Sequence, residues 1–143
     1  MKKFLNKLLN SLEPTHKLKL EWFITNKGKE ILWSETKPGS NGLEGAKEDL
    51  FLFSAAKGIF KPKRSEYVLS IKHVLGSKYP DQLIDRADGS WVYRYSQETQ
   101  PGSAPEDIFT NKGALRCIDD KVPVGVGIQI SRKPNPVIYK ILG

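Results

Sequence analysis

The stretch Val122-Pro123-Val124-Gly125-Val126-Gly127-Ile128-Gln129-Ile130 decides the fold class. Branched apolar residues occupy every second position from Val124 to Ile128, which is the period of a β-strand. Gly125 and Gly127 leave the other face of this strand almost without side chains, so we expect another group to pack closely against it. A neighbouring helix or backbone segment would explain the glycines, and so would a ligand that approaches them.

The rest of the chain predicts further strands and a few helices. Candidate strands are Leu50–Ser54, Tyr67–His73, Trp91–Gln97, Val122–Ile130 and Val137–Leu142. Helices are predicted over residues 3–13, from Thr15 to Ile24, and near Asn111–Ile118, the last with Thr110 or Asn111 as its N-cap. Helices are too few for crossovers between all the strands. The pattern therefore predicts an α+β fold: a curved, mostly antiparallel sheet or small barrel with short flanking helices.

Length and composition limit the classes of protein that fit. The 143 residues suit a single core. We divide the chain into an N-terminal amphipathic helix at 1–16 and a main domain at 17–143. A single cysteine excludes an internal disulfide, and two histidines are too few for the usual structural zinc sites. No apolar run is long enough to span a bilayer, and polar residues interrupt the signal-like N-terminus. We expect a cytoplasmic protein without a membrane partner.

The net charge of +7 is unevenly distributed. Residues 1–29 carry seven Lys and two Glu, net +5, and residues 57–73 carry five basic side chains and one acidic, net +4. Residues 78–121 carry six basic and eight acidic side chains, net −2. Concentrated positive charge suits a polyanion, because binding phosphates releases condensed counterions, although lysine-rich surfaces also occur simply for solubility.

Segment 88–98, Asp-Gly-Ser-Trp-Val-Tyr-Arg-Tyr-Ser-Gln-Glu, is the strongest local motif. Its Asp-Gly turn precedes an alternation that places Trp91, Tyr93 and Tyr95 on one face of a strand. These rings are either the core of a curved sheet or a cage that stacks on a nucleobase. In a cage, Asp88, Gln97 and Glu98 would hydrogen-bond to the polar edge of the base.

The loop Lys57-Gly58-Ile59-Phe60-Lys61-Pro62-Lys63-Arg64 is a candidate phosphate clamp. Gly58 allows close approach of the backbone to a ligand, and Pro62 stiffens a loop that carries four cations. The alternative is a basic surface loop anchored by buried Ile59 and Phe60, and the two interpretations are compatible.

Support for catalysis is weak. Asp119 and Asp120 lack the further carboxylates of a nuclease metal site, and His16 and His73 have no evident partner. Cys117 lies in an apolar helical setting that is typical of a buried thiol rather than a nucleophile. We expect no metal, no cofactor and no catalytic residue.

Several short motifs in order resemble the N-terminal DNA-reading domain of McrA-like, modification-dependent HNH restriction endonucleases, which is similar to SRA (SET- and RING-associated) domains. The motifs are Leu20-Glu21-Trp22-Phe23, Ala56-Lys57-Gly58-Ile59-Phe60-Lys61-Pro62, Tyr67-Val68-Leu69-Ser70-Ile71, Tyr79-Pro80-Asp81, the whole of 88–98, Thr110-Asn111 with Ala114-Leu115, and Val122-Pro123-Val124-Gly125-Val126. Each is weak alone. The resemblance runs from about Leu18 to Gly143.

The resemblance implies an SRA/PUA-like barrel that flips a modified cytosine into an aromatic pocket. The base-pocket residues would be Asp88, Trp91, Tyr93, Tyr95, Gln97 and Glu98. The DNA-backbone contacts would be Lys57, Lys61, Lys63, Arg64, Arg94 and Asn111. The HNH nuclease of those enzymes has no counterpart in these 143 residues, so cleavage is not carried over. The chain would be a stand-alone reader, a regulator, or one subunit with a separate nuclease partner.

Two hypotheses follow. The first is a restriction-modification type of DNA-binding module that recognises modified cytosine, such as 5-methyl- or 5-hydroxymethylcytosine, in double-stranded DNA without a nuclease centre of its own. The alternative is a small basic interaction or inhibitor domain that binds an acidic protein or RNA. Convergence of the basic residues around one concave aromatic pocket would favour the first, and their dispersal would favour the second.

Overall fold

A computed structural model of the chain describes residues 2–43, 50–55, 57–63, 65–75, 82–85, 87–88, 91–94, 102 and 108–143. The helices are α1 (Lys2–Ser11), α2 (Pro14–Thr25) and α3 (Phe109–Asp120). The strands are β1 (Glu30–Leu32), β2 (Ile59–Phe60), β3 (Ser70–His73), β4 (Gln82–Asp85), β5 (Trp91–Arg94), β6 (Gly125–Ser131) and β7 (Ile138–Ile141). A 3₁₀ turn, Trp33–Thr36, follows β1.

Five strands form one sheet in the order β1-β7-β6-β3-β2, and β4 and β5 form a separate antiparallel pair. Within the larger sheet β3 and β6 are parallel, and the other neighbours are antiparallel. The α+β class is confirmed. The expected barrel is not: in the described part of the chain the sheet is mixed and open, with β1 and β2 at its edges.

The glycine face of β6 is covered by aromatic rings. A Cβ built on Gly125 would lie 2.4 Å from Cγ of Phe23 in α2, and one built on Gly127 would lie 2.7 Å from Cζ of Phe53. Phe23 and Phe53 meet edge to face with ring centroids 5.4 Å apart, and the Phe53 ring stacks on Tyr139 of β7 at 5.9 Å. The predicted close packing on this face is confirmed, and it comes from the core rather than from a ligand.

The predicted strand Leu50–Ser54 is wrong. Leu52 and Phe53 are buried, but the segment is irregular. It forms no strand because side chains, rather than a neighbouring strand, donate hydrogen bonds to its carbonyl groups. The Ser70 hydroxyl donates to the Leu52 carbonyl at 2.5 Å, and the Asn41 amide donates to the Leu50 carbonyl at 2.8 Å. The buried apolar run therefore contributes to the core without joining the sheet.

Two helices begin earlier than expected. The N-cap of α2 is Glu13, not Thr15: the Glu13 carboxylate accepts the backbone N–H groups of Thr15 at 2.9 Å and His16 at 3.0 Å. The N-cap of α3 is Ile108, so Thr110 and Asn111 lie inside its first turn. Helix α2 runs across residues 16 and 17, where we placed the end of the N-terminal segment.

Candidate functional site

A cleft of about 580 Å³ lies between the first half of α2, the segments on either side of β2, and the start of α3. Its charged lining consists of Lys19, Lys57, Lys61 and Lys63 against a single carboxylate, Glu13, among the described residues. Two rings, Phe60 and Phe109, also line it. We call it the basic cleft.

The Glu13 carboxylate is committed to α2. Burial alone would raise the pKa of Glu13, but the hydrogen bonds from the Thr15 and His16 backbone outweigh burial and lower it. The carboxylate is therefore ionised at neutral pH, and its charge faces the positive end of the α2 dipole. Glu13 consequently offsets little of the positive charge that the four lysines bring.

The Lys61 ammonium is held in place by neutral groups. Its Nζ donates to the Ser65 carbonyl and lies 3.6 Å from the ring centroid of Phe109, a cation–π geometry. Its stem lies against Gly113 of α3, where a Cβ would come within 2.6 Å of Lys61 Cδ. Burial lowers the pKa of Lys61, while Glu66 opposes the shift.

Lys19 is almost completely buried at the base of the cleft. It is 1% exposed, and its Nζ lies 5.4 Å from the ring centroid of Phe60. Lys57 and Lys63 are exposed, so they form the rim. The cleft thus has basic groups at two depths.

His16 lies beside Lys19 in the base of the cleft and is 2% exposed. Its Nδ1 is 3.0 Å from the Ser65 hydroxyl, whereas its Nε2 is buried and has no hydrogen-bond partner in the described part of the chain. Burial lowers the pKa of His16 to about 4, helped by Lys19 and opposed by Glu13. The imidazole is therefore neutral at pH 7.

His16 also lines a second cleft of about 450 Å³, on the side of α1 and the end of α3. Glu13, Glu66 and Asp120 line this acidic cleft. Its charges are paired: Tyr67 Oη donates to Asp120 Oδ2 at 2.6 Å, and Arg116 Nη2 lies 3.0 Å from Glu66 Oε2.

The structure brings together three of the predicted backbone-binding residues. Lys57, Lys61 and Lys63 all line the basic cleft. Arg64 lies outside the described residues, and Arg94 is in β5. Asn111 is 0% exposed within α3 and presents no surface to a phosphate.

The three predicted base-pocket residues that the structure describes, Asp88, Trp91 and Tyr93, are not part of the lining of the basic cleft. Asp88 is exposed ahead of β5, which contains Trp91 and Tyr93, whereas Tyr95, Gln97 and Glu98 lie outside the described residues. A Cβ built on Gly143 would lie 3.8 Å from Trp91 Cζ2 and 3.9 Å from Lys27 Cδ, which places Trp91 beyond the end of α2. The basic cleft is at the start of that 12-residue helix, which is about 18 Å long.

Sequence reasoning missed His16, Lys19 and Phe109 as cleft residues. His16 and Lys19 are three positions apart in α2, a spacing that puts both on one helix face and could have linked them. Their joint burial depends on contacts with the β2 region, which lies about 40 residues further along the chain. No local pattern encodes such a contact.

The described residues contain no obvious catalytic centre. Cys117 is 6% exposed, and burial raises the pKa of its thiol to about 11, so the reactive thiolate is scarce at neutral pH. No group of three His, Cys, Asp or Glu side chains in the described ranges is placed to hold a metal ion. Asp120 already accepts the Tyr67 hydroxyl.

Neither the search for membrane-spanning helices nor the comparison with known proteins adds a functional assignment to this site. In the described part of the chain no helix combines the length and apolarity needed to cross a bilayer. Searches against protein-family models, curated proteins and solved structures find no match to this sequence.

Proposed function

We propose that this chain is a DNA-binding module that recognises modified cytosine in duplex DNA by flipping the base into an aromatic pocket. The observation that carries the DNA-binding part of the proposal is the convergence of Lys57, Lys61 and Lys63 on one cleft. Dispersed lysines would have favoured a solubility role or a different partner. Convergence is what neutralising neighbouring phosphates requires.

In this proposal the rim of the basic cleft contacts the DNA backbone. Lys57 and Lys63 are exposed and can reach phosphates that pass over the cleft opening. Such contacts fix the position of the duplex without reading its sequence, and each phosphate neutralised steepens the dependence of affinity on salt. Non-specific affinity therefore comes from this cleft.

Recognition of the base is assigned to the β4–β5 hairpin. Its support is the alternation of rings through Trp91 and Tyr93 and the resemblance to modification-dependent DNA-reading domains. Because Trp91 and the basic cleft lie at opposite ends of α2, the duplex would cover at least about 18 Å of protein, on the order of five base pairs. A flipped base at the hairpin and phosphates at the cleft would then belong to one binding site.

A duplex panel tests the proposal. Three DNA duplexes that differ only at one cytosine, unmodified, 5-methylated or 5-hydroxymethylated, are titrated at several salt concentrations, beside an RNA duplex of the same sequence and an acidic polypeptide. We expect one modified duplex to bind at least about tenfold more tightly than the unmodified one, because pocket contacts repay part of the flipping cost. Equal binding of all three DNA duplexes would refute modified-base recognition, and preference for the RNA or the polypeptide would refute DNA binding.

Variants distinguish a role of Trp91 in base recognition from a role in the folded core. The Trp91→Ala variant is expected to lose discrimination while retaining weaker, salt-dependent binding to all duplexes. Phe4→Ala is the matched control, since that ring is 59% exposed on α1. If Trp91→Ala instead unfolds the protein, the Trp91 ring is core and the assignment of the base pocket to this hairpin is wrong.

A further inference from the structure

His16, which lines the basic cleft and also the acidic cleft, has a buried ring nitrogen without a hydrogen-bond partner among the described residues. Ser65 Oγ accepts the Tyr67 backbone N–H at 3.1 Å and lies 3.0 Å from His16 Nδ1, and we assign the Ser65 hydroxyl as the donor of this second hydrogen bond. A neutral imidazole whose Nδ1 accepts a hydrogen bond carries its proton on Nε2. The buried and unpartnered Nε2 of His16 is then an N–H group that lacks an acceptor among the described residues.

Positive groups accompany His16 in the basic cleft. Lys19 and Lys61 line the same cleft, and the Lys61 ammonium uses one of its three donors on the Ser65 carbonyl. Helix α3 adds the positive end of its dipole, since Phe109 and Thr110 of its first turn also line the cleft. A buried N–H donor beside two ammonium groups is complementary to an anion with several acceptor oxygens.

The depth of these groups limits the form of the anion. His16 and Lys19 are 2% and 1% exposed, so a ligand that contacts them from the basic cleft lies in its interior rather than on its rim. A phosphodiester continues on both sides of the phosphorus and passes over the rim. A phosphate monoester has one ester bond and three terminal oxygens, and it can enter end-on. The volume of about 580 Å³ also exceeds what a phosphate alone requires and lies in the usual range for small-ligand sites.

We propose that the base of the basic cleft binds a terminal phosphate group, a phosphate monoester carried on a nucleotide or on the end of a nucleic-acid strand. His16 Nε2–H and the ammonium groups of Lys19 and Lys61 are its ligands, while Lys57 and Lys63 at the rim contact whatever the phosphate is attached to. This inference rests on the proposed function in that both use the basic cleft, but it assigns the interior to a different chemical group.

The first experiment compares two short single strands of identical sequence, one with a 5′-phosphate and one with a 5′-hydroxyl. We expect the phosphorylated strand to bind about tenfold or more tightly, the gain of charge-assisted hydrogen bonds. Addition of the phosphorylated strand should also shift the imidazole NMR signals of His16, and addition of the hydroxyl strand should not. Equal affinity of the two strands, or an unchanged His16 signal at saturation, overturns the inference.

Variants at His16 distinguish a ligand from a structural group. His16→Met removes the donor and should reduce the preference for phosphate to within about twofold, whereas His16→Gln keeps an N–H donor and should retain most of the preference. If both variants lose the preference equally while remaining folded, His16 acts only through packing and the inference fails. The double variant Lys57→Gln/Lys63→Gln is the control, because it should weaken both strands alike and leave their ratio unchanged.

Two further arms identify the source of the phosphate and separate the two proposals. Competition by a free nucleoside 5′-monophosphate as strong as by the phosphorylated strand assigns the site to free nucleotides, and weaker competition assigns it to strand ends; both support the inference. If the preference for a terminal phosphate is absent while modified duplexes still bind selectively, the inference fails and the proposed function stands. If the preference is present while no duplex binds, the proposed function fails and the inference stands.

Discussion

The two clefts that share His16 differ in what their charged groups contact. In the acidic cleft Tyr67 bonds to Asp120, and Arg116 pairs with Glu66, so charges and polar groups satisfy one another. In the basic cleft the described contacts of Lys61 are a carbonyl oxygen and an aromatic ring, which hold its ammonium without cancelling its charge. The first arrangement links α3 to the segment that precedes β3, and the second leaves the charge of Lys61 uncancelled.

Lys72 extends the contrast. It belongs to the same basic stretch of sequence as the cleft lysines, yet it is 6% exposed, and its ammonium donates to the carbonyls of Ser54 and Ala55 and faces the Trp33 ring at 4.5 Å. Burial lowers its pKa. It fixes the irregular segment that precedes β2. Lys72 therefore serves the fold, whereas Lys57 and Lys63 of the same basic stretch are exposed.

The largest expected effect is on the free energy of unfolding and comes from His16, which lines both clefts. The pKa of His16 is about 4 in the folded chain and about 6.5 when unfolded, so protons favour the unfolded state as the pH falls. The stabilisation from His16 is complete above pH 6.5 and is lost between 6.5 and about 4, by about 3 kcal/mol at 1.36 kcal/mol per pH unit. Urea unfolding at pH 7, 6, 5 and 4 measures it.

His16→Gln should flatten that pH profile, because glutamine does not titrate. His73→Gln measures what the other histidine of the chain contributes. A His16→Gln profile that parallels the wild type would show that His16 is not buried in its neutral form. That result would contradict the placement of a neutral His16 between the two clefts.

The next effect concerns the rim of the basic cleft. Reversing two charges with Lys57→Glu/Lys63→Glu should weaken duplex binding by about 10- to 100-fold and reduce the slope of log affinity against log salt by about 2, close to one unit per phosphate contact. Lys133→Glu/Lys140→Glu changes the net charge equally at exposed positions and is the matched control. If both pairs weaken binding alike, affinity follows net charge rather than the cleft.

The smallest effect is expected in the acidic cleft. Tyr67→Phe removes the hydrogen bond to Asp120 and should lower the free energy of unfolding by about 1 kcal/mol or less, because the bond is formed at an exposed carboxylate. DNA affinity should not change. A clear loss of DNA affinity in a folded Tyr67→Phe protein would show that DNA binds at the acidic cleft rather than at the basic cleft.

Features encoded over a few residues could be predicted from the sequence. The alternation around Gly125 and Gly127 indicated a strand with a closely covered face, and the cations between Lys57 and Lys63 indicated a basic loop, because both patterns are local. The class of the fold follows from the same periodicities.

Features that depend on long-range contacts could not be predicted. The segment Leu50–Ser54 has the composition of a strand, but the side chains of Asn41 and Ser70 occupy its carbonyl groups. Strand β2 has only two residues, too few for a periodic signal. The pairing of β3 with β6, separated by the β4–β5 hairpin and α3, makes the sheet mixed, and no short stretch of sequence reveals it.

Residue-resolved NMR of the backbone amides during titration with a short DNA duplex tests the central claim most directly. The account predicts that the largest chemical-shift changes fall on the basic cleft, at residues 15–19, 57–63, 65 and 108–110, and on the β4–β5 hairpin around Trp91, with small changes around Tyr67 and Asp120. Shifts centred on the acidic cleft, or shifts spread evenly over the exposed lysines at saturation, would contradict it.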